Sequence, residues 1–206
     1  MRNLLLIFVL FIPFIVSAQN NDTISYDEWD ESEDMAFSFS IPAATFSKID
    51  NINSYSLGGS LNVYINKHWF VGVFGERMSN SQLKDITIDT INYTKLRLGY
   101  GIITPAFGYI FFPQKKINIY AGLRFGWGGH SLIEGQSYVY SKKIVTGNST
   151  IIEPNIDFLY TLAPAFKLAV GLGYRYNTKF KNIVYTNKNF NSAYLSVSLL
   201  FGSFPE

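Results

Sequence analysis

The sequence predicts an all-β chain that folds as an eight-stranded, antiparallel, up-and-down transmembrane β-barrel. Three observations lead to this prediction. Long segments alternate between apolar and polar side chains, which is the period of a β-strand with two different faces. The connections between these segments alternate between short and long. An apolar stretch at the N-terminus has the form of a secretory signal.

The clearest alternation runs through residues 166–176, FKLAVGLGYRY. One face carries apolar side chains such as Leu168 and Leu172, which we expect to contact lipid, and it ends in two tyrosines. The other face carries glycines together with Lys167 and Arg175, a composition that a dry soluble core would not accept. This segment therefore predicts a strand with lipid on one side and a polar lumen on the other.

Seven further segments show the same alternation. In chain order, the eight predicted strands are residues 35–46, 54–66, 69–79, 93–112, 117–133, 151–162, 166–176 and 191–201. A strand of about 9–11 residues, tilted by about 45°, crosses the hydrocarbon core of a bilayer. These segments are long enough to span a membrane.

The fourth strand contains a change of parity. Before Pro105, the apolar face that we expect to meet lipid carries Leu96, Leu98, Tyr100 and Ile102. After Pro105, the apolar residues fall on the opposite parity. One extra residue reverses the facing of everything that follows it, so the sequence predicts a β-bulge near Pro105.

The connections provide a second, independent signal. Short turns are predicted at 66–68, 113–116 and 163–165, and longer links at 47–53, 80–92, 134–150 and 177–190. Tight periplasmic turns and longer outside loops are typical of outer-membrane barrels. An even number of strands returns the C-terminus to the periplasmic side, where the N-terminus lies.

Three regions follow from composition. Residues 1–18 have a basic start, an apolar stretch and small residues before Gln19, which predicts a cleaved signal peptide; the stretch is shorter than the ~20 residues of a transmembrane anchor. Residues 19–34 contain seven Asp or Glu and no Lys or Arg, which predicts a disordered acidic leader. Residues 35–206 form the predicted barrel, which has no cysteine and hence no disulfide.

Charged residues on the inward parity predict an ion-pair network in the lumen. Its predicted members are Glu76, Lys95, Arg97, Arg124, Glu153, Asp157, Lys167 and Arg175. Eight strands enclose an interior that side chains nearly fill, so charge neutralisation of a plugged lumen is the favoured interpretation. A polar conduit or gated small pore is the alternative.

Few residues offer catalytic chemistry. His130 and Ser131, with Glu134, resemble the His/Ser/Glu set of an outer-membrane lipid A deacylase. Adjacent residues of a strand point to opposite faces, which argues against a shared proton between them. His68 falls in a predicted turn. We therefore predict no catalytic residue, no metal site and no cofactor.

Four segments carry a resemblance to a known family: GIITPAFGYIFFP, INIYAGLRFGWG, TLAPAFKLAVGLGYRY and AYLSVSLLFGSF. With them, residues 35–204 resemble the small eight-stranded outer-membrane β-barrels of the OmpA/OmpX-like family, particularly those of the Bacteroidota type. The last strand resembles the family's C-terminal assembly signal, although Pro205 and Glu206 follow Phe204. The resemblance implies residence in the outer membrane of a Gram-negative bacterium and insertion by the barrel assembly machinery.

Partners and function remain open between alternatives. Outer-membrane lipid and lipopolysaccharide are the predicted partners, with Lys142, Lys143, Lys179, Lys181 and Lys188 as loop cations near lipopolysaccharide phosphates. Nucleic acid is not expected, and the protein is predicted to be a monomer. The favoured function is a structural or interaction role in the envelope. The alternatives are a narrow, porin-like channel or transporter similar to OmpW, a lipid A-modifying enzyme, and a soluble exported barrel such as a lipocalin.

Overall fold

The computed structural model describes residues 36–80, 82–88, 90–134, 142–178 and 184–205. These ranges contain the strands β1 (Phe37–Ile49), β2 (Ile52–Tyr64), β3 (Trp69–Met78), β4 (Gln82–Ile88), β5 (Ile91–Phe111), β6 (Ile117–Glu134), β7 (Lys142–Ala163), β8 (Phe166–Thr178) and β9 (Ser192–Gly202), and a 3-10 turn at Asn187–Asn189. Within these ranges, no helix is long and apolar enough to cross a membrane. The predicted signal peptide and acidic leader lie outside the described residues.

The strands close into an antiparallel barrel with eight positions. β1 pairs with both β2 and β9, β3 pairs with β2 and β5, and the strands from β4 to β9 pair in chain order. β3 and β4 occupy one position together, because both pair with the same edge of β5: Arg77 lies opposite Gly101, and Gln82 lies opposite Leu98. The predicted eight-stranded fold is therefore confirmed, with its third strand interrupted once.

An apolar belt covers the outside of the barrel. On β6, Ile117, Leu123, Phe125 and Trp127 are exposed and alternate with inward-facing residues such as Tyr120. The belt ends at Trp127, so the last residues of β6 lie outside the membrane-spanning segment. A soluble barrel of the lipocalin type would carry a polar exterior, and this chain instead has the exterior of a transmembrane barrel.

The prediction of a bulge near Pro105 was wrong. The pairing of β5 with β3 continues without interruption from Trp69 opposite Tyr109 to Arg77 opposite Gly101. The bulge lies instead in the β4–β5 pairing, where Lys95 has a φ of 56° and its backbone N–H donates to Asp85 Oδ1 at 2.6 Å.

The same strand faces differently from the prediction. Even-numbered residues of β5 point inward from Leu96 to Ile110, so Leu96, Leu98, Tyr100 and Ile102 are buried in the lumen and do not contact lipid. The outward face of β5 changes its surroundings along the strand. It meets lipid near Phe107 and lies beyond the belt near Arg97.

Two predicted long links are hairpins. The link at 47–53 is a two-residue turn in which Asp50 and Asn51 have φ values of 52° and 62°, as in tight hairpin turns. Most of the link at 80–92 is paired strand, and β7 begins at Lys142 within the link predicted at 134–150. We call this end of the barrel the hairpin end, and the end with the turns at 65–68, 112–116 and 164–165 the turn end.

Candidate functional site: the filled lumen and its two ends

The lumen is organised in three layers. An apolar core occupies the hairpin end, a charged layer occupies the middle, and a second apolar core occupies the turn end. Each layer is built by inward-facing residues from several strands, because alternate side chains of every strand point into the barrel. The chemistry available inside the barrel depends on this arrangement.

The hairpin-end core closes one mouth of the barrel. Leu96, Leu98 and Leu132 are almost fully buried in it. Tyr185 and Phe190, from the segment between β8 and β9, are buried in the same core. Residues 184–191, which we call the cap, therefore lie over the mouth and fill it with the side chains of Tyr185 and Phe190.

Hydrogen bonds hold the capping segment in place. The backbone N–H of Asp50 donates to Asn189 O at 2.5 Å, and Asn189 Nδ2 donates to Asp50 Oδ1 at 2.6 Å. Asp50 also forms a salt bridge with Lys84 of β4. From inside the barrel, Asn177 Nδ2 donates to Phe190 O at 2.9 Å. The cap is thus tied to the β1–β2 turn and to β8, and the β1–β2 turn is itself tied to β4.

The turn-end core closes the other mouth. The hydroxyl groups of Tyr64 and Tyr120 are hydrogen bonded at 2.9 Å across the lumen, and Ser38 Oγ lies 2.8 Å from the Tyr64 hydroxyl. The ring of Phe204, which follows the last strand, lies 6.1 Å from the ring of Tyr64. Phe70 packs on Tyr120 with 5.1 Å between ring centres.

The charged layer is centred on Arg175 of β8, which is only 1% exposed. Its Nη2 donates to Glu76 Oε1 at 2.6 Å, and its Nε donates to Glu153 Oε1. A guanidinium group suits this position because it presents several donors in a fixed plane to two carboxylates. One cation thus joins β3, β7 and β8.

Arg124 of β6 completes the layer. Its guanidinium lies 4.0 Å from Glu153 Oε2 and 4.0 Å from Asp157 Oδ2, and it stacks over the Phe74 ring at 4.0 Å. The layer therefore contains the three carboxylates of Glu76, Glu153 and Asp157 and two guanidinium groups.

A cavity of about 50 Å³ lies beside the charged layer. Its polar lining includes Asn62, Asn155, Asp157 and Ser196. This volume is enough for about one or two water molecules, each of which occupies about 30 Å³ in the liquid. The cavity lies between the two apolar cores.

The structure places six of the eight predicted network residues in the lumen. Glu76, Arg124, Glu153, Asp157 and Arg175 form the charged layer. Lys167 is also buried, but it lies at the turn end, where its Nζ donates to Asn118 Oδ1 at 2.7 Å. The predicted placement of Lys167 in one network with Glu153 and Asp157 was wrong, because its hydrogen bond to Asn118 holds it at the turn end.

Lys95 and Arg97 were wrongly assigned to the lumen. Lys95 is exposed at the bulge of β5, and Arg97 lies on the outward parity of the same strand. Both errors have the same cause, which is that β5 was expected to face the other way. Leu96 and Leu98 occupy inward positions, so Lys95 and Arg97, which alternate with them, point outward.

His130 and Ser131 do not form a catalytic pair. His130 points inward and is buried against Tyr185 and Phe190, with ring centres 5.6 and 5.3 Å away, whereas Ser131 lies on the other face of β6 and Glu134 is exposed. Burial lowers the pKa of His130 to about 4 and raises the pKa of Tyr185 to about 12.

The other histidine lies at the turn end, far from His130. His68 is exposed in the turn after β2, where its Nδ1 lies 3.0 Å from Ile110 O. Among the residues with described positions, no group of three His, Asp or Glu side chains could hold a metal ion.

The predicted loop cations are partly described. Lys142, Lys143 and Lys188 are exposed at the hairpin end, and Lys179 and Lys181 lie outside the described residues. Two further cations lie on the outward face of the barrel towards the hairpin end: Arg77, which sequence reasoning missed, and Arg97, which it assigned to the lumen. It also missed the cap, whose sequence signal is the apolar and aromatic residues within the link predicted at 177–190, Tyr185 and Phe190 among them.

The sequence matches no family model, and it matches no curated protein significantly. Solved structures do share the fold. Neisserial surface protein A superposes with a TM-score of 0.56 at 18% identity, over 81% of this chain and 96% of that one. A major outer-membrane protein of Thermus thermophilus gives 0.51 at 13% identity, over 82% and 100% of the two chains.

A third structure is similar at the same level. Ail, the attachment invasion locus protein of Yersinia pestis, in complex with the heparin analogue sucrose octasulfate, gives a TM-score of 0.50 at 12% identity, over 82% of this chain and 97% of Ail. The narrower resemblance to barrels of the Bacteroidota type stays a prediction. The chain has the fold of the small eight-stranded outer-membrane β-barrels.

Proposed function

We propose that this protein resides in a bacterial outer membrane and serves there as a structural or interaction protein without turnover. The observation that carries the proposal is a four-stranded sheet that extends beyond the rest of the barrel at the hairpin end. The filled lumen supports it, because it directs function to the outer surface. The similarity to Ail, an attachment invasion protein by its name, is in keeping with an adhesion-type role.

The extension consists of β4, β5, β6 and β7. The β2–β3 pairing reaches only Ser56 opposite Met78, whereas the β4–β5 pairing continues to Ile88 opposite Ile91. Similarly, the β6–β7 pairing continues to Glu134 opposite Lys142. Across the ranges described above, β4 pairs with β5 alone. A strand edge of this kind can pair with an extended segment of another protein.

Shortening the hairpin tests the interaction role. Replacing residues 85–95 with Asn-Gly, a favoured two-residue hairpin turn, removes the β4–β5 hairpin beyond the pair of Lys84 and Leu96 and keeps the buried Leu96. We expect the variant to reach the membrane and to keep its heat-modifiable mobility on gels, but to lose the attachment of expressing cells to neighbouring cells or to protein-coated surfaces. Unchanged attachment, in a strain that depends on this protein for it, would reject the role.

The closed lumen argues against the channel alternative. Phe190 and Tyr100, 5.0 Å apart, lie in the core at one mouth, and Tyr64 and Tyr120 bridge the other. We expect the refolded protein to show no steady single-channel conductance in planar bilayers. A stable conductance of the unmodified protein would favour the narrow channel or transporter instead.

Lipopolysaccharide is the proposed partner of the outward cations. Arg97 lies opposite Ile133, which lies opposite Lys143, so these residues form one row on the outer face beyond the belt. The exposed side chains of Lys142 and Lys188 add positive charge at the same end. Replacing Arg97 and Lys143 with Gln should weaken retention of lipopolysaccharide in native mass spectra, whereas Lys67→Gln at the turn end should not.

We also propose that the protein is a monomer in the membrane. A closed sheet leaves no strand edge within lipid, which is in keeping with a monomer inserted by the barrel assembly machinery.

The absence of turnover is tested by mass analysis of lipid A from cells with and without the protein. A lipid A change that disappears with His130→Ala would support the enzyme alternative.

A further inference from the structure

A groove at the turn end lies between the β5–β6 turn and the β7–β8 turn. Its volume is about 580 Å³. Its lining includes Lys115, Lys116, Leu162, Pro164, Lys167 and Phe204. The groove thus combines three lysines with apolar side chains at the point where the barrel meets the membrane surface.

A buried amide organises this groove. Asn118 is fully buried, and its Nδ2 lies 2.5, 3.0 and 2.8 Å from the carbonyl oxygens of Phe112, Pro113 and Lys115. Its Oδ1 accepts a hydrogen bond from Lys167 Nζ. The β5–β6 turn is therefore wrapped around one side chain, which fixes the backbone that carries Lys115 and Lys116.

A backbone hydrogen bond joins the two sides of the groove. The N–H of Thr161 donates to Lys116 O at 2.9 Å, so the β5–β6 turn is fixed to the end of β7. The buried Lys167, only 5% exposed, forms the inner wall, with its Nζ 4.5 Å from the centre of the Phe204 ring. The groove is a built feature of the fold.

Within the described ranges, the charged side chains of this end are all cationic. The carboxylates of the described ranges lie in the charged layer or towards the hairpin end: Asp50, Glu76, Asp85, Glu134, Glu153 and Asp157. Within the same ranges, the turn end carries Lys67, Lys115, Lys116 and Lys167. An anionic ligand would therefore meet cations there without a carboxylate of these ranges to repel it.

The groove is continuous with the apolar belt. Leu162 and Ile117, at the end of the belt, are 50% and 57% exposed. Lys116 Nζ lies 5.1 Å from the ring centre of Tyr160, an aromatic residue of the kind that marks the membrane interface. Lysines at this height place their ammonium groups among lipid headgroups while their stems cover apolar surface.

We propose that this groove binds an anionic glycerophospholipid of the leaflet at the turn end. Its phosphate lies between the ammonium groups of Lys115 and Lys116, and its acyl chains follow Ile117 and Leu162 along the belt. The ligand class follows from the two halves of the site, because a soluble anion would use the lysines but not the apolar surface, and a zwitterionic lipid would lose the charge attraction.

Native mass spectrometry of the full, refolded protein tests the proposal. The protein is released from nanodiscs that contain equal amounts of phosphatidylglycerol and phosphatidylethanolamine, and retained lipids are counted. We expect a preference for phosphatidylglycerol, which falls by about 30-fold in the double variant Lys115→Gln, Lys116→Gln. Lys48→Gln, Lys95→Gln is the matched control, because both lysines are exposed at the hairpin end and lie outside the row of Arg97 and Lys143, and it should keep the preference.

Two results would overturn the proposal. One is equal retention of both lipids by the unmodified protein, a measurement that requires no variant. The other is an equal loss of preference in the two double variants, which would assign the effect to net charge. Millimolar glycerophosphate should not displace the retained lipid; displacement would show that the groove recognises a soluble phosphate. Heat-modifiable mobility of each variant confirms that the barrel has folded.

Discussion

Arg175 donates to Glu76 across the full width of the barrel, with 2.6 Å between Nη2 and Oε1. β8 and β3 lie on opposite sides of the eight-position barrel, four positions apart in either direction. The same guanidinium donates to Glu153 of β7. This one side chain therefore connects the two halves of the barrel through its charged middle layer.

Removing Arg175 should be the most damaging change in the charged layer. Arg175→Gln leaves the carboxylates of Glu76 and Glu153 buried with Arg124 as the remaining cation of the layer, and we expect a loss of about 3–5 kcal/mol in the free energy of unfolding. Glu76→Gln should cost much less, because two carboxylates and two guanidinium groups then balance. Urea titration in lipid vesicles measures both values, and equal losses would contradict the central role of Arg175.

The lengths of the strands explain how much of the fold could be predicted. Alternation identified a strand at each of the eight barrel positions and the outward-facing Leu172 correctly, because the strands within the belt meet lipid on one side only; it missed β4, which lies in the link predicted at 80–92. β5 is 21 residues long and extends past the belt. Beyond the belt the outward face meets water and the inward face meets an apolar core. Leu98 therefore points inward and Arg97 points outward, which is the reverse of the facing expected for a strand within the membrane.

The site could be predicted only in part for a related reason. Glu153 and Arg175 are charges in the middle of membrane-length strands, and such charges must face the lumen. The apolar cores at the two ends depend on contacts between residues far apart in sequence, such as Tyr64 with Phe204 and Tyr100 with Phe190. Alternation within one strand contains no information about such contacts.

Charge on the lipid face should be costly only within the belt. Leu172 is 56% exposed on β8, and we expect Leu172→Arg to cost about 2–4 kcal/mol, because an arginine near the bilayer midplane loses its hydration. Leu83 is 61% exposed on β4 beyond the belt, where Leu83→Arg should be nearly neutral. The two free energies of unfolding are compared in the same vesicles. A similar cost at both positions would contradict the conclusion that Leu83 lies beyond the belt.

Gly171 should be intolerant of a side chain. A Cβ added there would overlap Asp157 Oδ1 and Ser196 Oγ. Gly171→Ala should therefore displace Asp157 from Arg124 and lower the free energy of unfolding by about 1–3 kcal/mol. A Cβ at Gly75 would meet its nearest neighbour, Ile102 O, at 3.6 Å, so Gly75→Ala is the control and should be tolerated. If both variants unfold at the same urea concentration as the unmodified protein, the prediction is wrong, and Asp157 can move away from the added methyl group without a loss of stability.

The cap should make stability depend on pH through His130. Burial against Tyr185 and Phe190 lowers the pKa of His130 to about 4, whereas the unfolded chain binds a proton at its ordinary pKa of about 6.5. The unfolded state therefore gains a proton first as pH falls. This reduces stability between pH 6.5 and about 4, by up to about 3 kcal/mol, and the loss levels off once the folded state is also protonated.

The contribution of His130 is the difference between the unmodified protein and His130→Gln, measured by urea titration at pH 7, 5 and 4. Carboxylates also titrate in this range, so both proteins lose stability, but the unmodified protein should lose more. His68→Gln is the matched control for the loss of a histidine, because His68 is exposed at the turn end, away from the cap. Parallel profiles for all three proteins would mean that the cap releases His130 to water before it is protonated.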